Sequence, residues 1–497
     1  MNNDNIPGRN GVQVDPVRRL TEDQIDEIDF TSKEILKYIG FEVSCEEAVE
    51  LFYKAGSKIE KKEKLHQVHL TPQIIEDALA KAPNEIILGG REPQFDVKLS
   101  ASDHRVHFGT GSETNWWLEA DFSNGKVNYS SRPGTTADLI AAAKLADHLD
   151  TLDIFLRPVN IQDEEITATN KDINKFYCAL AGGRKHVMAG FSSENAIEDV
   201  LRMAAIVAGG AEQFTKRPLI SGISCVIKSP LTMVDDAATK LIKAVRLGIP
   251  MVVSSSPQGG STAPIEEAGM LALIHAELLA GLTLAQLAKP GAPVMYGAVP
   301  VRARLDNLHD LYGAPEFIHY AIDCVQMAEH LGIPCYASAG VGDSKVPGIR
   351  ATIEKFPSHL AVTQAGPAYI HYAYGLLDRT SIFSPLQAVL DDAQIKLVKD
   401  IVRKPQIEIE DLVEAESQIG RVMGSNLRMF ARFIRKARKK GRVSEPYAFE
   451  GSGDVDQSME LAQQKLDELM STPVPDLPDG IKNKIFNQFD GLLTKLK

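Results

Sequence analysis

Between about residues 100 and 390 the chain repeats one alternation. A short run of apolar residues is followed by a longer stretch whose apolar positions fall three and four apart. The short runs are RVHFGT (105–110), LDIFLR (152–157), HVMAGF (186–191), PLISGIS (218–224), PMVVSSS (250–256), PVMYGAV (293–299), PCYASAG (334–340) and SIFSP (381–385). They are apolar throughout instead of alternating, as parallel strands buried on both faces are. The longer stretches, at 135–148, 171–181, 194–208, 234–247, 264–282 and 315–331, have helical spacing, and several open on an N-cap residue or proline and close on glycine. About eight such βα repeats predict an α/β protein, a closed (β/α)8 TIM barrel. The alternative is an open doubly wound sheet. No glycine-rich dinucleotide fingerprint follows the first strand, which weighs against it.

The flanks differ in texture. Residues 1–20, rich in Asn, Gly and Pro, read as a mobile arm. A helix starts at Thr21, with Gln24 in capping-box position, and stops at Gly40. Two more helices follow, around 46–55 and after Thr71-Pro72, with strand-like HQVHL and EIILGG between and after them. Beyond about 386 the pattern is helical, with Ile419, Val422, Met423, Leu427, Phe430 and Ile434 on one face and a last helix over 479–496. The predicted division is therefore an N-terminal helical section (1–95), a barrel (96–400) and a C-terminal helical extension (401–497).

Composition narrows the function classes. The chain is 44% hydrophobic and carries a net charge of −12, so phosphate neutralisation along a nucleic acid is not expected. Arg421, Arg428, Arg432, Arg435, Lys436, Arg438, Lys439, Lys440 and Arg442 form a local exception, read as a solvated face that could also dock an acidic partner. Five scattered cysteines without a CxxC pair fit a reducing, cytoplasmic compartment. The N-terminus lacks a secretory apolar core and no uncharged run is long enough to span a bilayer, so no membrane role is expected. His104 and His107 lie on one candidate strand, but no third ligand is evident and no metal is expected. GVGDS is not a nucleophile elbow, which disfavours a serine hydrolase.

Barrel active sites lie at the C-terminal ends of the strands. The first end supplies Phe108, then Gly109-Thr110-Gly111-Ser112-Glu113, then Trp116 and Trp117, the only tryptophans. Aromatic faces beside a carboxylate hold a quaternary ammonium by cation–π and charge attraction. Later ends add Ser224, Ser254 to Ser256, Gln258, Tyr296, Arg302, Tyr312, Tyr336 and, in GVGDSK, Asp343. Tyr369, Tyr372 and Tyr374 are further aromatic candidates.

Three segments carry a resemblance: ILKYIGFEVSCEEAVELFYKAGSKIE, LTPQIIEDALAKAPNEIILGGREP with VHFGTGSE, and YASAGVGDSKVPGIRATIEK. Together they resemble the trimethylamine methyltransferase family over roughly 20–400. Gly348-Ile349-Arg350-Ala351 departs from it, standing where the family often has an acid and Gln. The resemblance implies a barrel enzyme that moves a methyl group from a methylated amine to the Co(I) of a corrinoid on a separate protein, with no tightly bound cofactor. Founding members carry pyrrolysine. This chain has only standard residues and is similar to the branch acting on quaternary amines such as glycine betaine. A quaternary nitrogen leaves as a neutral amine without protonation, so the protein's task is placement and desolvation. Glu113 with Trp116 or Trp117 is then expected to hold the ammonium, and Arg302 or Arg350 a betaine carboxylate. The expected partners are the amine, a cognate corrinoid protein and further copies of the chain in a homo-oligomer. The alternatives are a trimethylamine-type enzyme, a barrel lyase or hydratase with His107 or Asp343 as base, and a binding module that has lost turnover.

Overall fold

The computed structural model describes residues 10–63, 65–123, 126–405, 407–426, 429–451 and 456–497. It is a mixed α/β fold. Eight parallel strands form its centre: β1 (Arg105–Phe108), β2 (Ile154–Leu156), β3 (His186–Gly190), β4 (Ile220–Lys228), β5 (Met251–Ser255), β6 (Val294–Ala298), β7 (Cys335–Ser338) and β8 (Tyr369–His371). Neighbours pair in chain order from β2 to β8. β8 pairs with β1 through Tyr369↔His107 and Ile370↔Phe108, and Gly109, just past β1, bridges to Ile154 of β2. A helix follows each strand, from Thr136–His148 after β1 to Pro385–Val402 after β8.

Local chemistry explains several of these boundaries. Thr135 and Asp138 close a reciprocal capping box at the start of Thr136–His148. Thr71 and Ser384 cap helices whose first residue is a proline, where the missing N–H costs no hydrogen bond. Gly366 ends Ile349–Ala365 in the left-handed region. The helix Glu267–Ala288 is apolar on every side and is held in the interior, where Glu277 accepts hydrogen bonds from Ser229, Ser255 and the Leu231 N–H.

The strands have two packed faces. Ile154, Leu156, Met188, Val252, Met295, Tyr336 and Tyr369 meet on the inner face. They share one cluster with Ile86, Leu88, Val97 and Leu99 of the hairpin Glu85–Leu88/Val97–Ser100. That hairpin sits at the N-terminal ends of the strands, where Gly89 donates to Pro218 O and accepts from the His186 ring at 3.1 Å. The outer face packs against the helices.

Five expectations need correction. The eighth strand is Tyr369–His371. SIFSP instead supplies a two-residue strand, Ile382–Phe383, pairing with Trp116–Ser123. The segment after Glu113, read as a loop, is a long hairpin, Trp116–Ser123 with Lys126–Pro133. Residues 10–20 of the expected mobile arm are fixed: Val12 and Gln13 pair with β1, Val14 is buried, and the Asn10 and Gly11 N–H groups donate to Asp153. Residues 1–9 lie outside the described residues. The expected helix through 419–434 is two helices, Ile409–Met423 and Ala431–Lys439, with Leu427 and Arg428 outside the described residues. The last helix ends at Gln488. Within the basic tract, Lys436 and Lys440 pair with Glu414, Arg442 with Asp411 and Arg438 with Glu445.

Candidate active site

Ligands of parallel sheets bind beyond the carboxyl ends of the strands. There, one row crosses the inner face in register: Cys225, Ser254, Gly297, Tyr336 and Tyr369. Three small residues on one side face two tyrosines on the other. Cys225 keeps exposed surface although it stands in the middle of the sheet, and a cavity of about 210 Å³ that reaches it opens on the helix side, between Phe191, Met251, Ala237 and Lys240. Burial raises the Cys225 thiol pKa, so it stays protonated.

The aromatic side is a ladder of four rings. Tyr369 meets Tyr336 edge-on at 5.2 Å between centroids, Tyr336 stacks on His371 at 4.0 Å, and His371 meets Tyr372 at 3.6 Å. His371 Nε2 and the Ser338 hydroxyl hydrogen-bond at 2.7 Å. Burial holds the His371 pKa well below its ordinary value, so the imidazole is neutral and presents an uncharged aromatic face. The hydroxyls of Tyr336 and Tyr369 are buried without a hydrogen-bond partner among the described residues.

The carboxylate side begins at Glu113. Ser112 and Glu113 have φ of 104° and 56°, two consecutive residues in a region that L side chains rarely occupy. This turn aims the Glu113 carboxylate inward, where Oε1 accepts from the Gly190 N–H at 2.7 Å and Oε2 pairs with the fully buried Arg157. Burial alone would raise the Glu113 pKa. Arg157, Lys175 and the Gly190 N–H outweigh it, and the pKa falls. Lys175 is itself buried against Asp172, and desolvation together with repulsion from Arg157 lowers its pKa to about 8.

The mouth is completed by loops. Asp310 accepts from the Gln258 amide at 2.8 Å, and burial raises its pKa, with Gln258 and Arg379 opposing the rise. Asp378 and Arg379 are a second consecutive pair at positive φ, 44° and 65°, tied down by donation from their N–H groups to Ser344 O and Gly342 O. Tyr372, φ 67°, has its hydroxyl pKa raised by burial and by the charges of Asp310 and Glu113. Neutral aromatic rings, two carboxylates and one guanidinium are therefore gathered at this end of the strands, with Tyr336, Tyr369 and His371 fully buried. Such a set suits a small cation that also carries a negative group.

Of the residues picked from sequence, Glu113, Ser254, Gln258, Tyr336, Tyr369 and Tyr372 belong to this group. Tyr312 is buried one layer behind, edge-on to Phe317 at 5.2 Å and clustered with Tyr372. The others lie elsewhere. Phe108 points to the outer face, 5.0 Å from Lys399 Nζ. Trp117 packs on Phe383 at 5.6 Å and Trp116 is exposed on the hairpin, so neither joins Glu113 in a cage. Tyr296 also faces outward and bonds His275 at 3.0 Å. Arg302 turns to Glu316, and Arg350 lies on the outside of its helix, paired with Glu354 at 2.7 Å. Asp343 accepts from the Tyr312 and Gly313 N–H groups and holds that turn. His107 sits buried 3.6 Å from Asp153, in register with Tyr369 at the end of the row, while His104 turns to Glu329. Among the described residues no group of three His, Cys, Asp or Glu could hold a metal ion.

Sequence reasoning missed Arg157, Cys225, Asp310, His371 and Arg379. The only signal for Arg157 was its place directly after a strand.

Comparison with known proteins gives a consistent picture. The model of the trimethylamine methyltransferase family matches residues 8–425. A trimethylamine methyltransferase of Desulfitobacterium hafniense is 29% identical over 77% of this chain and 74% of its own length. A glycine betaine methyltransferase of the same species is 28% identical over 75% of each chain. Among solved structures, the monomethylamine methyltransferase of Methanosarcina barkeri aligns over 90% of this chain and 93% of its own, with a TM-score of 0.46 and 12% identity.

Proposed function

Since this chain belongs to the trimethylamine methyltransferase family, we propose that it takes a methyl group from a carboxylate-bearing quaternary amine of the glycine betaine type and delivers it to the corrinoid of a separate, cytoplasmic partner protein. The pairing of β8 with β1 and the Gly109–Ile154 bridge are read as closure of the eight strands into a (β/α)8 barrel, with the site at its C-terminal mouth.

The observation that carries this reading is the neutral ring ladder Tyr336–His371–Tyr372, buried within reach of the charge of Glu113. A trimethylammonium group has no proton to donate, so it is recognised by aromatic faces and by charge alone. A protonated histidine in the ladder would repel it; the buried, neutral His371 does not. Glu113 is already paired with Arg157, so it contributes a fixed partial charge and keeps its position when the cation leaves. Arg379 across the mouth is the group placed to meet the substrate carboxylate.

A co-substrate approaching from outside would meet the half-buried Tyr372 and Arg379 in the loops beyond the strand ends. The corrinoid supplies a nucleophilic cobalt that accepts the methyl group. The chain orients one N–CH₃ bond outward, strips water from the cation, and releases a tertiary amine that needs no proton to depart. The test is methyl transfer to a Co(I) corrinoid protein, followed by the visible spectrum, with a panel of betaines, trimethylamine and tetramethylammonium. Transfer from a betaine is expected. Transfer from trimethylamine alone would refute the substrate assignment, and transfer from none of them the activity.

A further inference from the structure

Four charged side chains meet at and behind Glu113. Glu113 comes from the turn after β1, Arg157 directly follows β2, and Asp172 and Lys175 lie one turn apart on the helix Lys171–Gly182. Arg157, Asp172 and Lys175 are 1% exposed, while Glu113 keeps 28% and is the member that a ligand entering from the mouth meets. The turn after β3 ties them together. Lys175 Nζ donates to the Gly190 carbonyl, to Asp172 at 2.6 Å and to the Ser192 hydroxyl at 3.3 Å. Asp172 accepts from the Ser192 and Ser193 N–H groups, and the Gly190 N–H holds Glu113 Oε1 at 2.7 Å. With two cations and two anions, the cluster has no net charge.

A quaternary ammonium brings a fixed charge that it cannot shed. Beside Glu113 it leaves this shielded cluster with one positive charge in excess, which is far more unfavourable there than in bulk water. Only one of the four can relieve the excess by losing a proton. Arg157 stays charged at any ordinary pH. Burial opposes ionisation of Glu113 and Asp172, but the cations beside them prevail, so both are already ionised. Lys175 differs. Desolvation and the repulsion of Arg157 bring its pKa down to about 8, with Glu113 and Asp172 opposing, and a further cation drives it lower. The proton has an exit, because Ser192 is exposed. The neutral amine that remains keeps its contacts: two N–H donors serve Asp172 and the Gly190 carbonyl, and its lone pair accepts from the Ser192 hydroxyl.

We propose that the site takes up its cation in exchange for a proton: Lys175 releases one to solvent as the quaternary ammonium settles beside Glu113, and takes one back once the positive charge has left with the methyl group. This rests on the functional reading above. Lys175 touches the backbone that holds Glu113 and not the ligand, so it is a positioning residue.

The test uses the full chain, with tetramethylammonium and glycine betaine as probes, neither of which titrates near neutrality. Calorimetric titration at pH 7 in phosphate and in Tris, buffers with different heats of ionisation, counts the protons. Release of more than about half a proton per cation bound is expected, and affinity should rise roughly tenfold from pH 6 to pH 8 and level off above pH 9. By reciprocity, the ligand lowers the affinity of Lys175 for its proton by the same factor. Asp172→Asn, which removes the acid that holds the Lys175 charge, should move the rise to lower pH by about a unit or more. Lys175→Met combined with Asp172→Asn removes both partners together and should abolish the release. Binding without release, an affinity flat from pH 6 to pH 9, or a rise that Asp172→Asn leaves in place refutes the exchange and leaves the functional reading standing. Release that persists in the double variant assigns the proton elsewhere, to Asp310 across the mouth, and also refutes it. Binding of neither probe refutes the functional reading, and the exchange falls with it.

Discussion

Replacing Tyr336 separates the two roles that a buried tyrosine can have. Its hydroxyl is enclosed and meets no donor or acceptor among the described residues, while its ring stacks on His371 at 4.0 Å. A hydroxyl buried without a partner costs the folded state about 1–3 kcal/mol. Tyr336→Phe removes that cost and keeps the ring, so the ligand-free protein should be unchanged or more stable by about 1 kcal/mol. Tyr336→Leu removes the ring. A desolvated cation–π contact is worth about 2 kcal/mol, which at 1.4 kcal/mol per decade is a roughly 30-fold loss of affinity for a quaternary ammonium. Chemical denaturation measures the first quantity and calorimetric titration with a betaine the second. If Tyr336→Phe destabilises the protein by a kilocalorie or more, the hydroxyl has a partner and the ladder is structural. If Tyr336→Leu binds betaine as tightly as the unaltered chain, the ammonium does not sit on this ring.

Further expectations follow from neighbouring groups. Glu113→Gln keeps the acceptor for the Gly190 N–H but leaves Arg157, 1% exposed, without its counter-charge, so unfolding free energy should fall by about 3–5 kcal/mol; a loss under 1 kcal/mol would contradict the pairing. Arg379→Ala should raise KM for a betaine roughly ten- to a hundredfold and leave tetramethylammonium unaffected; equal effects on both would deny it the carboxylate. Asp323 has a wholly buried side chain 3.5 Å from Arg19, and desolvation pushes its pKa up to about 7. The folded value lies above the unfolded one, so its contribution to stability is intact at acid pH and is lost as pH rises through 7. Asp323→Asn should therefore gain on the unaltered chain between pH 5 and pH 8, by up to about 3 kcal/mol, and an equal difference at both pH values would refute this.

Much of the fold was legible because it rests on long, regular patterns. Six of the eight central strands fall inside their apolar runs, Ile220–Lys228 runs four residues past its own, and the Thr21 and Gln24 capping box forms as spaced. The eighth was hidden because Tyr369–His371 is three residues long and two of them are polar aromatics, so it has neither the length nor the apolar density of its neighbours. The hairpin beginning at Trp116 had a signal, the Asn124-Gly125 pair between two β-rich stretches, which outranks the adjacent tryptophans as a guide to local structure. The site was less legible. Glu113 and Tyr336 were reached because each stands at or near a strand end. Tyr296 and Phe108 satisfy the same rule but point outward, and the direction of a side chain turns on a register that one residue reverses. Arg379 and Glu113 owe their aim to left-handed backbone at non-glycine residues, which tertiary packing imposes and no propensity foretells.

The hairpin Glu85–Leu88/Val97–Ser100 fills the N-terminal end of the central strands with Ile86, Leu88, Val97 and Leu99. It makes the mouth a cul-de-sac. Whatever goes in must back out through the doorway it used, and a protein-sized visitor bringing cobalt would stand in that doorway while it worked. If the proposed corrinoid partner docks there, the amine would have to be aboard before it arrives and the demethylated product would leave after it has gone. Order of arrival and departure is then a matter of architecture, set by a plug on the side of the molecule farthest from the chemistry.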